Sequence, residues 1–186
     1  LKTPGLINGE LPENTDAFKF HRFFSIAKAS SQFQDPHAIV FLHDADSDDE
    51  RRRELLELND LYGEETIPVI VGVPHPETEC WLLAGYRHDI TEEESARLDE
   101  YKRETGGVDP CSDSHRLNAR NETDVRHPKC ALRTLCPTEI RQNQCLEAPF
   151  ALLELHGHQN GLKDFLEALR ARLIPGLFGG AAEQPR

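Results

Sequence analysis

Ala38-Ile39-Val40-Phe41-Leu42-His43-Asp44-Ala45-Asp46-Ser47-Asp48-Asp49-Glu50 runs from a short apolar segment straight into carboxylates, and Arg51-Arg52-Arg53-Glu54-Leu55-Leu56 follows at once. A short, continuous apolar run suits a strand buried on both faces, as in a parallel sheet. Ser47 and Glu50 have capping-box spacing, which predicts a helix from about Asp48 to Asn59 with Leu55, Leu56 and Leu58 facing inward. Asp44 and Asp46 then stand at the carboxyl end of a central strand, where open α/β sheets place ligands. The helix dipole accounts for Asp48, Asp49 and Glu50 without a metal. It does less for Asp44 and Asp46, which repel each other unless a cation or basic group lies between them. The pair reads as a divalent-metal site. An EF-hand is excluded, since a loop starting at Asp44 would put Asp49 at the glycine position and Leu55 at the bidentate glutamate.

Ile67-Pro68-Val69-Ile70-Val71-Gly72-Val73 predicts a second buried strand, with Pro68 near its start. Residues 38–73 then make a strand–helix–strand unit of right-handed parallel crossover length. Pro74-His75-Pro76-Glu77-Thr78-Glu79-Cys80-Trp81-Leu82-Leu83-Ala84-Gly85 follows. Here Pro76 fits a first helical turn and Gly85 a C-terminal cap. A second carboxylate pair, Glu77 and Glu79, thus falls at the end of a parallel strand. With the strands adjacent, four carboxylates share one sheet edge, a hard oxygen set suited to magnesium or manganese.

The rest of the chain supplies helices and irregular segments. Residues 1–13 read as a loop, and Thr15 or Asp16 caps a helix carrying Phe18, Phe20, Phe23, Phe24 and Ile26, aromatics expected to pack on a sheet. Thr91 with Glu94 opens an acidic, solvated helix ending near Gly106-Gly107, and residues 108–128 form a long loop. Pro128 starts a helix stopped by Pro137, residues 146–154 are a short apolar segment, and Gly161–Ile174 is amphipathic. His43 and His75 precede carboxylate clusters but are left out of the site.

Composition limits the function classes. The 186 residues fit one domain, taken as 1–176 with a flexible tail at 177–186. No apolar run approaches membrane-spanning length and no secretory signal pattern is present, so no membrane role is expected. The chain opens on Leu1 and lacks methionine, which leads to the expectation of a segment upstream. A net charge of −12 argues against a broad basic nucleic-acid surface. Between His115 and Arg133, however, Arg116, Arg120, Arg126, Lys129 and Arg133 face only Glu122 and Asp124. Five cysteines in irregular spacing suit free thiols and a cytoplasmic location. His127, Cys130, Cys136 and Cys145 could in principle surround zinc, but no C-x-x-C pair is present.

Asp44-Ala45-Asp46 after a hydrophobic strand resembles the D-x-D motif of Toprim domains, the magnesium-binding fold of topoisomerases, primases and overcoming-lysogenization-defect nucleases. Glu77-x-Glu79-x-Trp81-Leu82-Leu83-Ala84 is similar to a signature of small bacterial Toprim-like proteins. Asp109-Pro110-Cys111 and His127-Pro128-Lys129-x-x-Leu132 resemble the D-P loop and lysine-bearing helix of that branch. The similarity covers about residues 18–136. It implies an α/β, Rossmann-like, mainly parallel sheet with helices on both faces, and magnesium- or manganese-dependent cleavage of DNA or RNA. Asp44, Asp46 and Glu79 would be catalytic and would hold metal together with Glu77, while Lys129, Arg126 and Arg133 would contact phosphate. It further implies an ABC- or AAA-type ATPase partner in phage defence. The acidic chain would bind nucleic acid weakly alone.

One family feature is missing. Toprim catalysis uses a first-strand glutamate, usually followed by glycine, as general acid/base, and Glu10 lacks that context. Either the glutamate lies upstream of Leu1, or the chain is a non-catalytic Toprim-like subunit that binds and regulates the ATPase. A haloacid-dehalogenase-type phosphatase also uses D-x-D, but it wants Thr or Val where Asp48 stands.

Overall fold

A computed structural model describes residues 15–29, 37–63 and 67–175. The expectations for residues 1–13, for Glu10 and for the 177–186 tail lie outside them. Two strands and eight α-helices are described: α1 (Asp16–Ala29), β1 (Ile39–Leu42), α2 (Asp49–Leu61), β2 (Val69–Gly72), α3 (Glu79–Ala84), α4 (Glu92–Glu104), α5 (Pro128–Leu135), α6 (Glu139–Leu146), α7 (Phe150–His156) and α8 (Leu162–Ala168). A 3-10 turn, Ser114–Arg116, precedes α5, and α8 runs on into a π-helical turn, Leu169–Leu173. The chain is a mixed α/β protein. It divides into two compact units.

Of the described residues, the first unit holds 15–29, 37–43, 49–63, 67–73 and 167–175. β1 and β2 pair in parallel with Ile39 opposite Val69 and Leu42 opposite Gly72. β2 is buried throughout, as its β-branched run requires. β1 is not, because Val40 and Leu42 are about half exposed, which corrects the reading of a strand covered on both faces. Among the described residues, side chains occupy the outer edge of β2. Asn59 on α2 accepts from the Val71 N–H at 3.0 Å, and Arg172 donates to the Val69 carbonyl at 3.2 Å. These bonds occupy groups that another strand would need.

Thr15 caps α1, its hydroxyl accepting from the Phe18 N–H at 3.1 Å. Only part of the aromatic run on α1 enters the core. Phe20 and Phe24 are buried and meet Tyr62 with ring centroids 5.3 and 4.6 Å apart, and Phe20 also meets Phe41 at 4.7 Å. Phe23 and Ile26 face solvent.

The second unit holds Asp44–Asp48 and Pro74–Leu166. Its core gathers Leu83, Tyr86, Leu98, Tyr101, Leu117 and Leu135 with Cys111, Cys136 and Cys145. The α4 capping box is formed as expected: Thr91 accepts from the Glu94 N–H and Glu94 from the Thr91 N–H. The helix is not wholly solvated, since Leu98 and Tyr101 are buried. The long segment after it is also pinned, with Val108, Cys111, Ser114 and Leu117 buried and Tyr101 donating to the Val125 carbonyl. α6 has no counterpart in the sequence reading, although Pro137-Thr138 announces it: Thr138 accepts from the Arg141 N–H at 3.2 Å. The residue at Gly85 is set by close approach and not by handedness. Its φ is −89°, but a Cβ there would lie 1.9 Å from the Cys145 carbonyl oxygen.

Asn160 ties the second unit together. Its amide donates to the Cys80 carbonyl at 3.0 Å and the Ser114 hydroxyl at 2.9 Å, and its carbonyl side chain accepts from the Leu162 N–H at 3.1 Å. Its backbone oxygen accepts from the Trp81 indole at 2.8 Å and from the His75 N–H at 3.0 Å. Trp81 stacks on Phe165 with centroids 4.9 Å apart. α3 is therefore held from one side by a buried amide network, and that network fixes the loop before it.

Candidate functional site

The candidate residues of the D-x-D loop and of the Glu77–Glu79 segment fall in the same unit. The Ala45 N–H donates to the Pro74 carbonyl and the Asp46 N–H to the Pro76 carbonyl, each at 2.9 Å. The two loops thus run side by side. Ala45 is fully buried between its flanking aspartates, which explains a small residue there. Asp46 and Ser47 both adopt left-handed backbone, φ 53° and 60°, and the Asp48 N–H closes on the Ala45 carbonyl at 2.9 Å. Two consecutive positive φ values with that bond are the mark of a type I′ turn. This corrects the capping-box reading: a cap needs extended backbone at Ser47, and α2 begins only at Asp49.

The second loop also departs from expectation. Pro76 does not open the helix; it follows a cis bond to His75, and α3 starts at Glu79. Thr78 stands at the cap position but makes no side-chain cap bond. Its hydroxyl instead donates to Asp44 Oδ1 at 2.6 Å. This clamp between the two motifs was not anticipated, although a hydroxyl flanked by two glutamates was its available signal.

Glu77 is the most perturbed carboxyl of the site. Its pKa is raised to about 6, first by burial, then by the Glu79 charge, with Lys129 pulling it down and Asp44 and Asp46 adding to the rise. All three other carboxylates therefore act on it. Glu77 Oε2 is buried without a hydrogen-bond partner, and Oε1 lies 3.8 Å from His127 Nε2. His127 is buried, and its Nδ1 accepts from the Lys129 N–H at 3.2 Å as the cap of α5. That bond leaves Nε2 to carry the ring proton toward Glu77.

The basic candidates sit on and before α5. Lys129 Nζ bonds Glu122 Oε1 at 3.0 Å, Arg133 donates to the Glu122 carbonyl at 2.7 Å, and Arg126 donates to the Arg116 carbonyl at 3.4 Å. Lys129 is held well protonated, first by its bond to Glu122 and then by the Glu77 charge. Glu122 occupies both Lys129 and Arg133.

The other candidates have structural work. His127 caps α5, and Cys136 and Cys145 meet in the core, so the sulfur-and-imidazole set does not surround zinc. Asp109 accepts from the Cys111 N–H at 2.9 Å and from Arg87 at 2.6 Å. Burial opposes its ionisation, but these bonds and Lys102 hold its pKa below the usual range. In the first unit His43 lies 3.7 Å from Asp16, which also accepts from Arg51 at 2.8 Å.

Oxygen donors and the orphaned Glu77 Oε2 suit a hard divalent cation. The side-chain positions are less closely gathered: among the described residues no three His, Cys, Asp or Glu side chains form a group that could hold a metal ion. The donor chemistry fits; convergence does not. No described helix is long and apolar enough to cross a membrane. Comparison with protein-family models, with curated proteins and with solved structures found no match.

Proposed function

We propose that the chain is a Toprim-like protein, with helices on both faces of a mainly parallel sheet, that cleaves phosphodiester bonds with magnesium or manganese. The observation that carries this reading is Glu77, a half-buried carboxyl raised to about 6 by burial and by Glu79, Asp44 and Asp46, with one oxygen unpartnered. A site that concentrates negative charge to that degree suits a cation. Asp44, Asp46 and Glu79, with Glu77, would hold it. A bound ion would supply positive charge to a phosphate and would lower the pKa of a bound water.

The chain's own residues orient these parts. Thr78 fixes the Asp44 carboxylate, His127 faces Glu77, and α5 presents Lys129 and Arg133, with Arg126 before it, for phosphate oxygens. Engagement of phosphate by Lys129 requires release from Glu122, which makes nucleic-acid binding by the acidic chain weak alone. An ABC- or AAA-type ATPase partner in a phage-defence system supplies the rest of the binding. The second reading is a non-catalytic Toprim-like subunit that regulates this partner. Two observations favour it: no described strand ends in Glu-Gly, and no three described ligand side chains converge.

The two separate in one assay, cleavage of plasmid DNA and of RNA with magnesium or manganese, with and without the ATPase. The nuclease reading expects cleavage that the Asp44→Ala/Asp46→Ala variant loses. No cleavage in any condition, with ATPase binding intact in both proteins, would leave the docking subunit.

A further inference from the structure

Cys136 and Cys145 pack in the core of the second unit and take no part in the candidate site. Cys136 ends α5 and Cys145 lies in the last turn of α6, nine residues on, with both side chains fully buried. Their sulfurs are 3.7 Å apart, in contact but unbonded. Buried cysteines are ordinarily inert, because burial disfavours the thiolate. Two features change that here. Each thiol has a second sulfur within reach, and the Arg141 guanidinium acts on both, favouring their ionised forms. Arg141 is itself buried; its Nε bonds Glu94 at 2.6 Å and Nη2 the Tyr86 carbonyl, while Nη1 has no partner. Contact with Cys136 and then the Arg141 charge outweigh burial and push the Cys145 thiol down, whereas contact with Cys145 and then burial push Cys136 up.

We propose that Cys136 and Cys145 form a reversible dithiol–disulfide site that a small hydroperoxide oxidises. The Cys145 thiolate attacks one peroxide oxygen, the O–O bond breaks, and the departing oxygen leaves as water after taking up a proton. The sulfenic acid on Cys145 is then attacked by the Cys136 sulfur. The S–S bond forms, the S–O bond breaks, and a second water departs with the Cys136 proton. Two electrons pass from the two thiols to one peroxide. Complete burial of both sulfurs favours a small oxidant over larger disulfides. The product staples the end of α5, the helix of Lys129, to α6. This assignment is independent of the phosphodiesterase reading.

The test uses the native full chain, treated with hydrogen peroxide, quenched with catalase, then denatured, alkylated with N-ethylmaleimide and digested with trypsin. Cleavage after Arg133, Arg141 and Lys163 puts the two cysteines on separate peptides, 134–141 and 142–163. The expected result is a cross-link between these peptides that dithiothreitol removes, with Cys80 and Cys111 still alkylated. In Cys136→Ser, Cys145 should instead be trapped as a dimedone adduct. Should that variant fail to fold, the wild-type peptide map alone decides. Retention of both thiols in native protein, oxidation of each sulfur singly, or a cross-link formed only after denaturation would overturn the proposal.

Discussion

The Thr78 hydroxyl donates a hydrogen bond to Asp44 Oδ1 across 2.6 Å, and so joins the two acidic motifs of the chain through a side-chain bond. The bond comes at the expense of the local cap that a threonine before α3 could have made. It sets the Asp44 carboxylate before any ligand arrives, which is the condition for a site of defined geometry.

Thr78→Val removes this bond and keeps the side-chain shape. Because Thr78 is exposed, the loss should be about 1 kcal/mol, below the usual range for a bond to a charged group. Magnesium affinity measured by calorimetry should fall about fivefold, and Thr78→Ser should restore most of it. Unchanged affinity in Thr78→Val would remove the clamp from the account.

The Glu77 shift makes stability depend on pH in a defined direction. Its folded pKa, about 6, lies above the ordinary 4.5, so between these values the native state binds the extra proton. Stability therefore falls as pH rises through that window, and the loss is complete above about pH 6. Solvent screening reduces the effect to about 1 kcal/mol. Urea unfolding without metal should show this slope in the wild type, and Glu77→Gln should remove it.

Two substitutions test the support beneath the site. Gly85→Ala drives a Cβ into the Cys145 carbonyl, backbone against backbone, and should cost about 3 kcal/mol or prevent folding. A thermal midpoint within two degrees or so of wild type would contradict the packing described.

Asn160→Ala leaves the Cys80 carbonyl, the Ser114 hydroxyl and the Leu162 N–H without their buried partner. A loss of about 2–4 kcal/mol in denaturant unfolding is expected. Since the same network holds α3, magnesium affinity should weaken as well.

Much of this architecture can be read from residue order. The apolar runs 39–42 and 69–72 announce parallel strands, Thr91 with Glu94 announces α4, and His127-Pro128 announces α5, because each signal is local. The failures involve partners distant in sequence. Ser47 and Glu50 have cap spacing, yet the backbone bonds of Ala45 and Asp46 to Pro74 and Pro76 turn the loop left-handed and delay the helix. The Thr78 clamp joins residues 34 positions apart, and the demand for glycine at 85 comes from Cys145 on another helix. Exposure of Val40 and Leu42 depends on what the fold lays over β1, which a run of apolar letters does not encode. That each carboxylate pair follows a strand was legible, because parallel neighbours end together, whereas the spacing of the side chains was not: among the described residues no three of them form a group that could hold a metal ion.

The central claim is that Asp44, Asp46, Glu77 and Glu79 serve one divalent cation. Its most direct test is calorimetric titration of magnesium, and in parallel manganese, into the wild type and into Asp44→Ala/Asp46→Ala, with circular dichroism to verify the fold of each. The account expects saturable binding by the wild type that the double variant loses at unchanged fold. Equal binding by both proteins, or none by the wild type, would contradict it.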